Sequence, residues 1–292
     1  MSATKSVLRE RVVDVGVPLV VREWGEAGAP LVYWPGLNPF GALALNEAGP
    51  VWAEKYALRV ISISPPGLET PPLPPVEYRL SRLAALVVRL LDALGLERVA
   101  FAGYSWGASL GCHLAAGFPE RLSALVLLDA GYQDIPDDGT ELETRIDEAR
   151  AANAEFAFPG WDAFLAAARE GRPRWSAALE ERLCAGMREE GAHIVAAASP
   201  DAAAAAIHGV VAEPPTRQLA ALGKLDLRVL LLVSSERGDT DEGRAAVERF
   251  RAEVPKAVVE RIADSGHDLL ADQPETTIHS VGSFLSRAGS TA

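Results

Sequence analysis

Cysteine is nearly missing from this 292-residue chain: only Cys112 and Cys184 are present. Two cysteines cannot make a disulfide framework, so nothing in the sequence calls for an oxidising compartment. Long apolar runs are missing too, and none approaches the roughly 20 residues that span a bilayer. The leading segment MSATKSVLRERVVDVG has no apolar stretch of the kind a secretion signal carries. A cytoplasmic location is the expectation. Basic charge is in deficit. The chain has 28 Lys+Arg against 40 Asp+Glu, a formal net charge of −12. Phosphate-rich partners are met by clustered basic residues, so nucleic acid and anionic membrane surfaces are disfavoured as partners. No His/Cys/Asp cluster has metal-ligand spacing, and there is no phosphate-binding glycine loop or dinucleotide fingerprint. No metal or cofactor is expected, and the expected partner is a small-molecule substrate.

What remains is ordinary globular material, 49% hydrophobic and 23% charged. Short apolar runs rich in β-formers (31–34, 58–63, 98–102, 123–128) alternate with helical stretches. Two further strands, 9–14 and 17–23, join through a turn at Gly16. The segment from Tyr78 to Leu94 places Leu80, Leu83, Leu86, Leu90 and Leu94 on one helical face, and Gly95 is positioned to end it. This alternation predicts an α/β fold with a mostly parallel sheet, its strands buried on both faces. The pattern breaks between about Tyr132 and Leu222, a stretch rich in Ala, Glu and Arg with helical periodicity and no convincing strand. It then resumes with a strand at 229–233, a helix at 242–252, a strand at 258–262 and a helix at 273–287. We therefore expect one α/β core, 1–132 and 223–292, carrying a helical insertion at 133–222. No linker of Pro, Gly and Ser marks a second independent domain.

The sharpest local feature is Gly103-Tyr104-Ser105-Trp106-Gly107, which follows a strand and precedes a helix. A serine on such a turn is exposed in strained geometry, and the glycines leave room where strand and helix pack. A serine hydroxyl needs a base. His267, in Asp264-Ser-Gly-His-Asp268, follows the last strand, where open α/β sheets bind ligands. His113 falls within the helix after the turn, His193 and His208 in the insertion, and His279 in the last helix, all better read as structural. Asp264, Asp268 and Asp272 read as surface or capping residues. The oxyanion of an acyl-transfer reaction needs backbone donors. The Trp106 N–H and the Leu37 N–H, in the loop Trp34-Pro-Gly-Leu-Asn-Pro-Phe-Gly41, are the candidates.

On these residues the chain resembles the α/β-hydrolase superfamily over nearly its whole length. The loop WPGLN, the elbow GYSWG, the insertion after the sixth strand and the closing SGHDLLADQPE carry the resemblance, and the elbow is similar to that of proline iminopeptidase-like members. The resemblance implies the α/β-hydrolase fold: an eight-stranded, mostly parallel sheet flanked by helices, with a helical lid after strand 6. It also implies hydrolysis through an acyl-enzyme. Pro35-Gly36 stands where many relatives carry His-Gly, which keeps the backbone donor and loses a side-chain hydrogen bond. The third member of a Ser-His-acid set is left open. Arg237 or Gly238 falls where many relatives place the acid. Asp129, at the end of strand 123–128, Asp239 and Glu236 are the alternatives.

The insertion contributes Phe156, Phe158, Trp161, Phe164 and Trp175, most of them expected to pack among themselves and some to line an apolar cleft. Trp34, Tyr104, Phe158 and Trp161 are the candidate substrate contacts. The expected activity is a serine hydrolase acting on a small, largely apolar ester, amide or lactone. C–C bond hydrolysis, or cofactor-free lyase or cyclase work in biosynthesis, would use the same Ser/His pair. A non-catalytic binding protein on this fold is the third possibility.

Overall fold

The computed structural model describes residues 9–37, 41–172 and 174–286. In chain order its elements are β1 (Arg9–Asp14), β2 (Pro18–Trp24), β3 (Ala29–Trp34), α1 (Ala48–Tyr56), β4 (Leu58–Ser64), α2 (Leu80–Ala93), β5 (Val99–Tyr104), α3 (Trp106–Gly117) and β6 (Leu122–Leu128). Then come α4 (Leu142–Glu155), β7 (Ala157–Phe158), α5 (Trp161–Arg169), α6 (Ala177–Ala185), β8 (Met187–Glu190), β9 (His193–Ala196), α7 (Pro200–Ala212) and α8 (Leu219–Leu222). The chain ends with β10 (Arg228–Ser234), α9 (Ser235–Gly238), α10 (Asp241–Glu253), β11 (Val258–Ile262), α11 (Leu269–Asp272) and α12 (Pro274–Ser286). Among the described residues, no helix is long and apolar enough to cross a membrane.

Eight strands form one sheet in the order β1-β2-β4-β3-β5-β6-β10-β11. β2 runs antiparallel to both β1 and β4, and every other pairing is parallel. Side chains alternate across a strand, so Leu125 and Leu127 of β6 enter one core layer while Val126 and Leu128 enter the other. The first layer lies under α2, α3 and α10, with Leu90, Leu114 and Phe250 fully buried. The second lies under α1 and α12, around Trp52 and Val281. Both faces are covered, which is why the central strands read as unbroken apolar runs.

The periodic segment 78–94 forms its helix two residues later than the spacing predicts. Tyr78 closes a 3₁₀ turn, and Arg79 is extended (φ −60°, ψ 138°) before α2 begins. Gly95 ends the helix in the left-handed region, with φ 67°. The Leu96 N–H there donates back to the Leu91 carbonyl at 2.8 Å. Glycine meets that conformation without the steric cost a Cβ would bring.

The excursion between β6 and β10 differs from the expectation of an all-helical insertion. It carries a three-stranded antiparallel sheet, β7-β9-β8. β7 has two residues and β8 and β9 four each. Strands so short leave no apolar period to register in the sequence. Burial of Met187 and Ile194 against Phe164, Leu179 and Leu183 supplies what local propensity does not, and Ala271 of α11 completes that cluster. α7 and α8 also bury Ala206, Val210, Leu219 and Leu222 in the core layer under α2 and α3. The excursion thus has a small apolar cluster of its own and also packs α7 and α8 into the core of the sheet.

Along the antiparallel edge, Glu23 of β2 is buried and held by two arginines. Arg11 of β1 donates to it from Nε at 2.9 Å, and Arg59 of β4 from Nη2 at 2.8 Å. Burial opposes ionisation of Glu23, but the hydrogen bonds from Arg59 and Arg11 outweigh it and lower its pKa from the ordinary 4.5. A carboxylate with a depressed folded-state pKa stabilises the fold above its unfolded pKa, and that contribution is lost as pH falls through the folded value. The acid limb of the stability curve below about pH 4.5 should therefore be shallower in Glu23→Gln than in the wild type, as read by urea denaturation at a series of pH values. Identical limbs would remove Glu23 from the acid response.

Candidate active site

The C-terminal ends of three parallel strands, β5, β6 and β11, deliver the site, with β10 between the last two. Ser105 is the residue between β5 and α3. Its backbone has φ 54° and ψ −115°. That is the positive-φ region, which L-residues rarely adopt. The turn closes because Gly103 and Gly107 lack side chains. A Cβ on Gly103 would overlap the Gly107 carbonyl, and one on Gly107 would overlap the Trp34 carbonyl. The Ser105 N–H is anchored to the Leu128 carbonyl at 3.1 Å, and the Ser105 carbonyl accepts from the N–H groups of Ala108 and Ser109. The hydroxyl is thus held at the positive end of α3.

Asp129 follows β6, again at positive φ (53°), and is fully buried. Its N–H donates to the Leu232 carbonyl at 2.8 Å, tying it to β10. Its carboxylate accepts from the Ser234 N–H at 2.7 Å and the Ser234 hydroxyl at 3.0 Å, both at the end of β10. His267, in the loop between β11 and α11, completes the set. Its Nδ1 lies 2.7 Å from Asp129 Oδ2, and its Nε2 lies 2.9 Å from Ser105 Oγ. The imidazole thus lies between the carboxylate on its Nδ1 side and the Ser105 hydroxyl on its Nε2 side. Tyr104 supports the imidazole from the side, ring centroids 5.0 Å apart. Burial, with Asp268 adding to it, raises the Tyr104 phenol well above its ordinary pKa, so it stays neutral.

The structure therefore brings Ser105, His267 and Asp129 together and leaves Asp239 out. Asp239 is on the surface, where it pairs with Arg261, Nε to Oδ1 at 2.6 Å. That pairing lowers its pKa and turns it away from His267. Glu236 does not reach His267 either. Asp268 has more than a capping role. It accepts from the Ala271 N–H at the start of α11 and also pairs with the buried Arg182 of α6 at 2.9 Å, joining the excursion to the residue beside His267. Asp272 accepts from the Gly266 N–H at 2.7 Å, and burial raises its pKa. His113 is structural, with Nε2 3.0 Å from the Glu213 carbonyl.

Leu37 and Trp106 line the same pocket of about 270 Å³ as Ser105. Neither of their N–H groups has a hydrogen-bond partner among the described residues. Leu37 also lines a second, larger cavity of about 780 Å³ within the excursion, bounded by Phe156, Phe158, Phe164, Met187 and Ala203. Of the four expected substrate contacts, Phe158 is in that cavity wall. Trp34 is fully buried and packs edge-on against Trp106, centroids 5.6 Å apart, so it backs the elbow instead of facing a ligand. Trp161 packs on Phe164 and donates its indole N–H to Glu189 at 2.9 Å, outside that wall. Tyr104 acts on the imidazole as described. Two residues went unnoticed in the sequence as contributors. Ser234 is an inconspicuous strand end, and its role depends on a partner 105 residues away. Arg237 had a visible signal, a basic residue where the resemblance implies an acid. It donates from Nη1 to the Asp129 carbonyl at 3.3 Å and lines the Ser105 pocket.

Known proteins share this architecture. A family model described as the alpha/beta hydrolase family matches residues 23–279. A Caulobacter vibrioides protein named putative carbamate hydrolase RutD is 27% identical over 216 residues, covering 74% of this chain and 75% of that protein. The solved structure of an E-2-(acetamidomethylene)succinate hydrolase has a TM-score of 0.74 at 19% identity, covering 96% of this chain and 99% of that one. A thioesterase domain from the curacin biosynthetic pathway also has a TM-score of 0.74, at 16% identity, covering 94% and 99%. With a sheet of matching architecture and a family match running from β2 into α12, the chain belongs to the alpha/beta hydrolase family.

Proposed function

We propose that the protein is a serine hydrolase that cleaves a small, largely apolar ester, amide or lactone through an acyl-enzyme. The observation that carries this reading is the unbroken hydrogen-bonded line from Ser105 Oγ through His267 to the buried Asp129. Ser105 Oγ attacks the substrate carbonyl and its proton passes to His267 Nε2. Asp129 keeps His267 in the required tautomer and stabilises the imidazolium that forms. The Leu37 and Trp106 N–H groups receive the negative charge that develops on the carbonyl oxygen. A donor of this kind is worth about 10²–10³ in turnover. The bond to the leaving group breaks as His267 returns the proton to it. Water then attacks the acyl-enzyme by the same proton relay and releases Ser105.

The excursion acts as a lid whose cavity receives the apolar part of the substrate, consistent with ligand sites that are mostly apolar with few polar anchors. The relatives named carbamate hydrolase add carbamates to the carbonyl compounds worth assaying, since a carbamate offers the same electrophilic carbon.

An activated fluorophosphonate should label the wild type and not Ser105→Ala, as read by intact-protein mass. Equal labelling of both would remove Ser105 as nucleophile. Asp129→Asn should lower kcat/KM by about 10³–10⁴, in line with loss of the orienting acid in other Ser-His-Asp hydrolases, while Asp239→Asn should stay within about threefold. The reverse ranking would reassign the acid. Ala203→Phe fills part of the apolar cavity. It should lower kcat/KM for a nitrophenyl octanoate and leave the acetate nearly unchanged, and a parallel loss on both esters would separate the cavity from the substrate.

A further inference from the structure

The Ser105 pocket has one basic side chain in its wall among the described residues, and that side chain makes few hydrogen bonds. Arg237 projects from α9, and its side chain is 38% exposed. Its guanidinium makes one long hydrogen bond, Nη1 to the Asp129 carbonyl at 3.3 Å. Its Nε is 3.7 Å from Asp129 Oδ2. That separation is beyond hydrogen-bond reach. Asp129 has hydrogen-bond partners of its own. The carboxylate already accepts from the Ser234 N–H, the Ser234 hydroxyl and His267 Nδ1. Most of the five donors in the guanidinium fork are thus free to meet something in the pocket. The other charged group in that wall, Asp134, is occupied: its carboxylate accepts from the Thr216 N–H at 3.1 Å and from the Thr216 hydroxyl.

The charge of the whole chain makes this arrangement informative. At a net −12 the molecule repels small anions, so an anionic substrate needs a local cation to hold it. A planar fork beside the nucleophile suits a carboxylate, which it can bind through two parallel hydrogen bonds. The apolar cavity adjoins the pocket at Leu37, which lines both spaces.

We propose that Arg237 is a specificity-determining residue that binds a carboxylate on the substrate, so that the preferred substrate is an ester or amide with an apolar arm and a carboxylate-bearing arm. The proposal rests on Ser105 being the nucleophile only for its turnover readout.

Two substrate pairs place the carboxylate on either side of the scissile carbonyl: 4-nitrophenyl hemiglutarate against 4-nitrophenyl pentanoate, and 3-(butanoyloxy)benzoate against phenyl butanoate. In Arg237→Gln the charged-to-neutral ratio of kcat/KM should fall about 10- to 100-fold for at least one pair, mainly through KM, as expected for loss of a charge-assisted hydrogen bond. Arg237→Lys should recover part of it, keeping the charge and losing the fork. If both members of each pair fall together, Arg237 acts only through Asp129 and the proposal is overturned. An unchanged ratio in both pairs overturns it as well. Calorimetry of the same charged esters with Ser105→Ala, against Ser105→Ala combined with Arg237→Gln, reads binding without turnover. Carboxylate binding that needs Arg237 in a protein that fluorophosphonates do not label would refute the nucleophile and keep the proposal. Labelling and turnover with no Arg237-dependent carboxylate binding would do the opposite.

Discussion

The candidate site depends on one buried charge. Asp129 has no exposed surface, and a carboxylate so placed persists only if its oxygens are met. The partners come from separate elements: Ser234 from the end of β10, and His267 from the loop beyond β11. The adjacency of β6, β10 and β11 in the sheet is therefore a condition for holding that charge. The same adjacency sets the imidazole, since the bond that satisfies Asp129 turns Nε2 toward Ser105. One requirement, pairing a buried carboxylate, orients the whole line of side chains.

Backbone strain is placed where those strands end. Ser105 and Asp129, at the tips of the neighbouring β5 and β6, both have positive φ. Such a residue costs on the order of 1–3 kcal/mol and persists where the surroundings over-determine it. Here the surroundings are two almost wholly enclosed strands. Every residue of β5 is buried, as is all of β6 except Ser123. The two tips are also bonded to each other and to β10, Ser105 N–H to Leu128 and Asp129 N–H to Leu232. A rigid pair of strands with sharply turned ends fixes the distance between Ser105 and Asp129 before any ligand arrives, which is the preorganisation that the proposed acyl transfer demands.

What could be read from the sequence divides along the same physical line. The elbow and His267 were legible because each is local: a serine between close-packing glycines after an apolar run, and a histidine after the last strand. The sheet was legible because fully buried strands leave continuous apolar runs. The acid was not decided, because Asp129 and Asp239 both follow apolar strands. What separates them is long-range, Ser234 and His267 at one and Arg261 at the other. The small sheet of the excursion was invisible for a related reason. Met187-Arg-Glu-Glu190 has no strand pattern, and its pairing with His193–Ala196 is stabilised by packing that only the folded excursion supplies. Trp34 and Trp161 could not be placed from sequence, because an aromatic near a site looks alike whether it faces a cavity or packs on a neighbouring ring.

Placing the acid on β6 has a consequence for the loop after β10. That loop does not need to supply a carboxylate to His267, so its residues are free for other work. Ser234 turns inward to clamp Asp129, and its hydroxyl also caps the short helix α9 through the Arg237 N–H at 3.2 Å. The cap fixes where Arg237 leaves the backbone and puts its guanidinium beside Asp129 at the edge of the Ser105 pocket. A carboxylate at the same point would set a second negative charge against Asp129 and raise the energy of the buried one. An arginine there eases that charge and puts a cation in the wall of the Ser105 pocket. Which strand carries the buried acid thus decides which charge the loop after β10 can present at the Ser105 pocket.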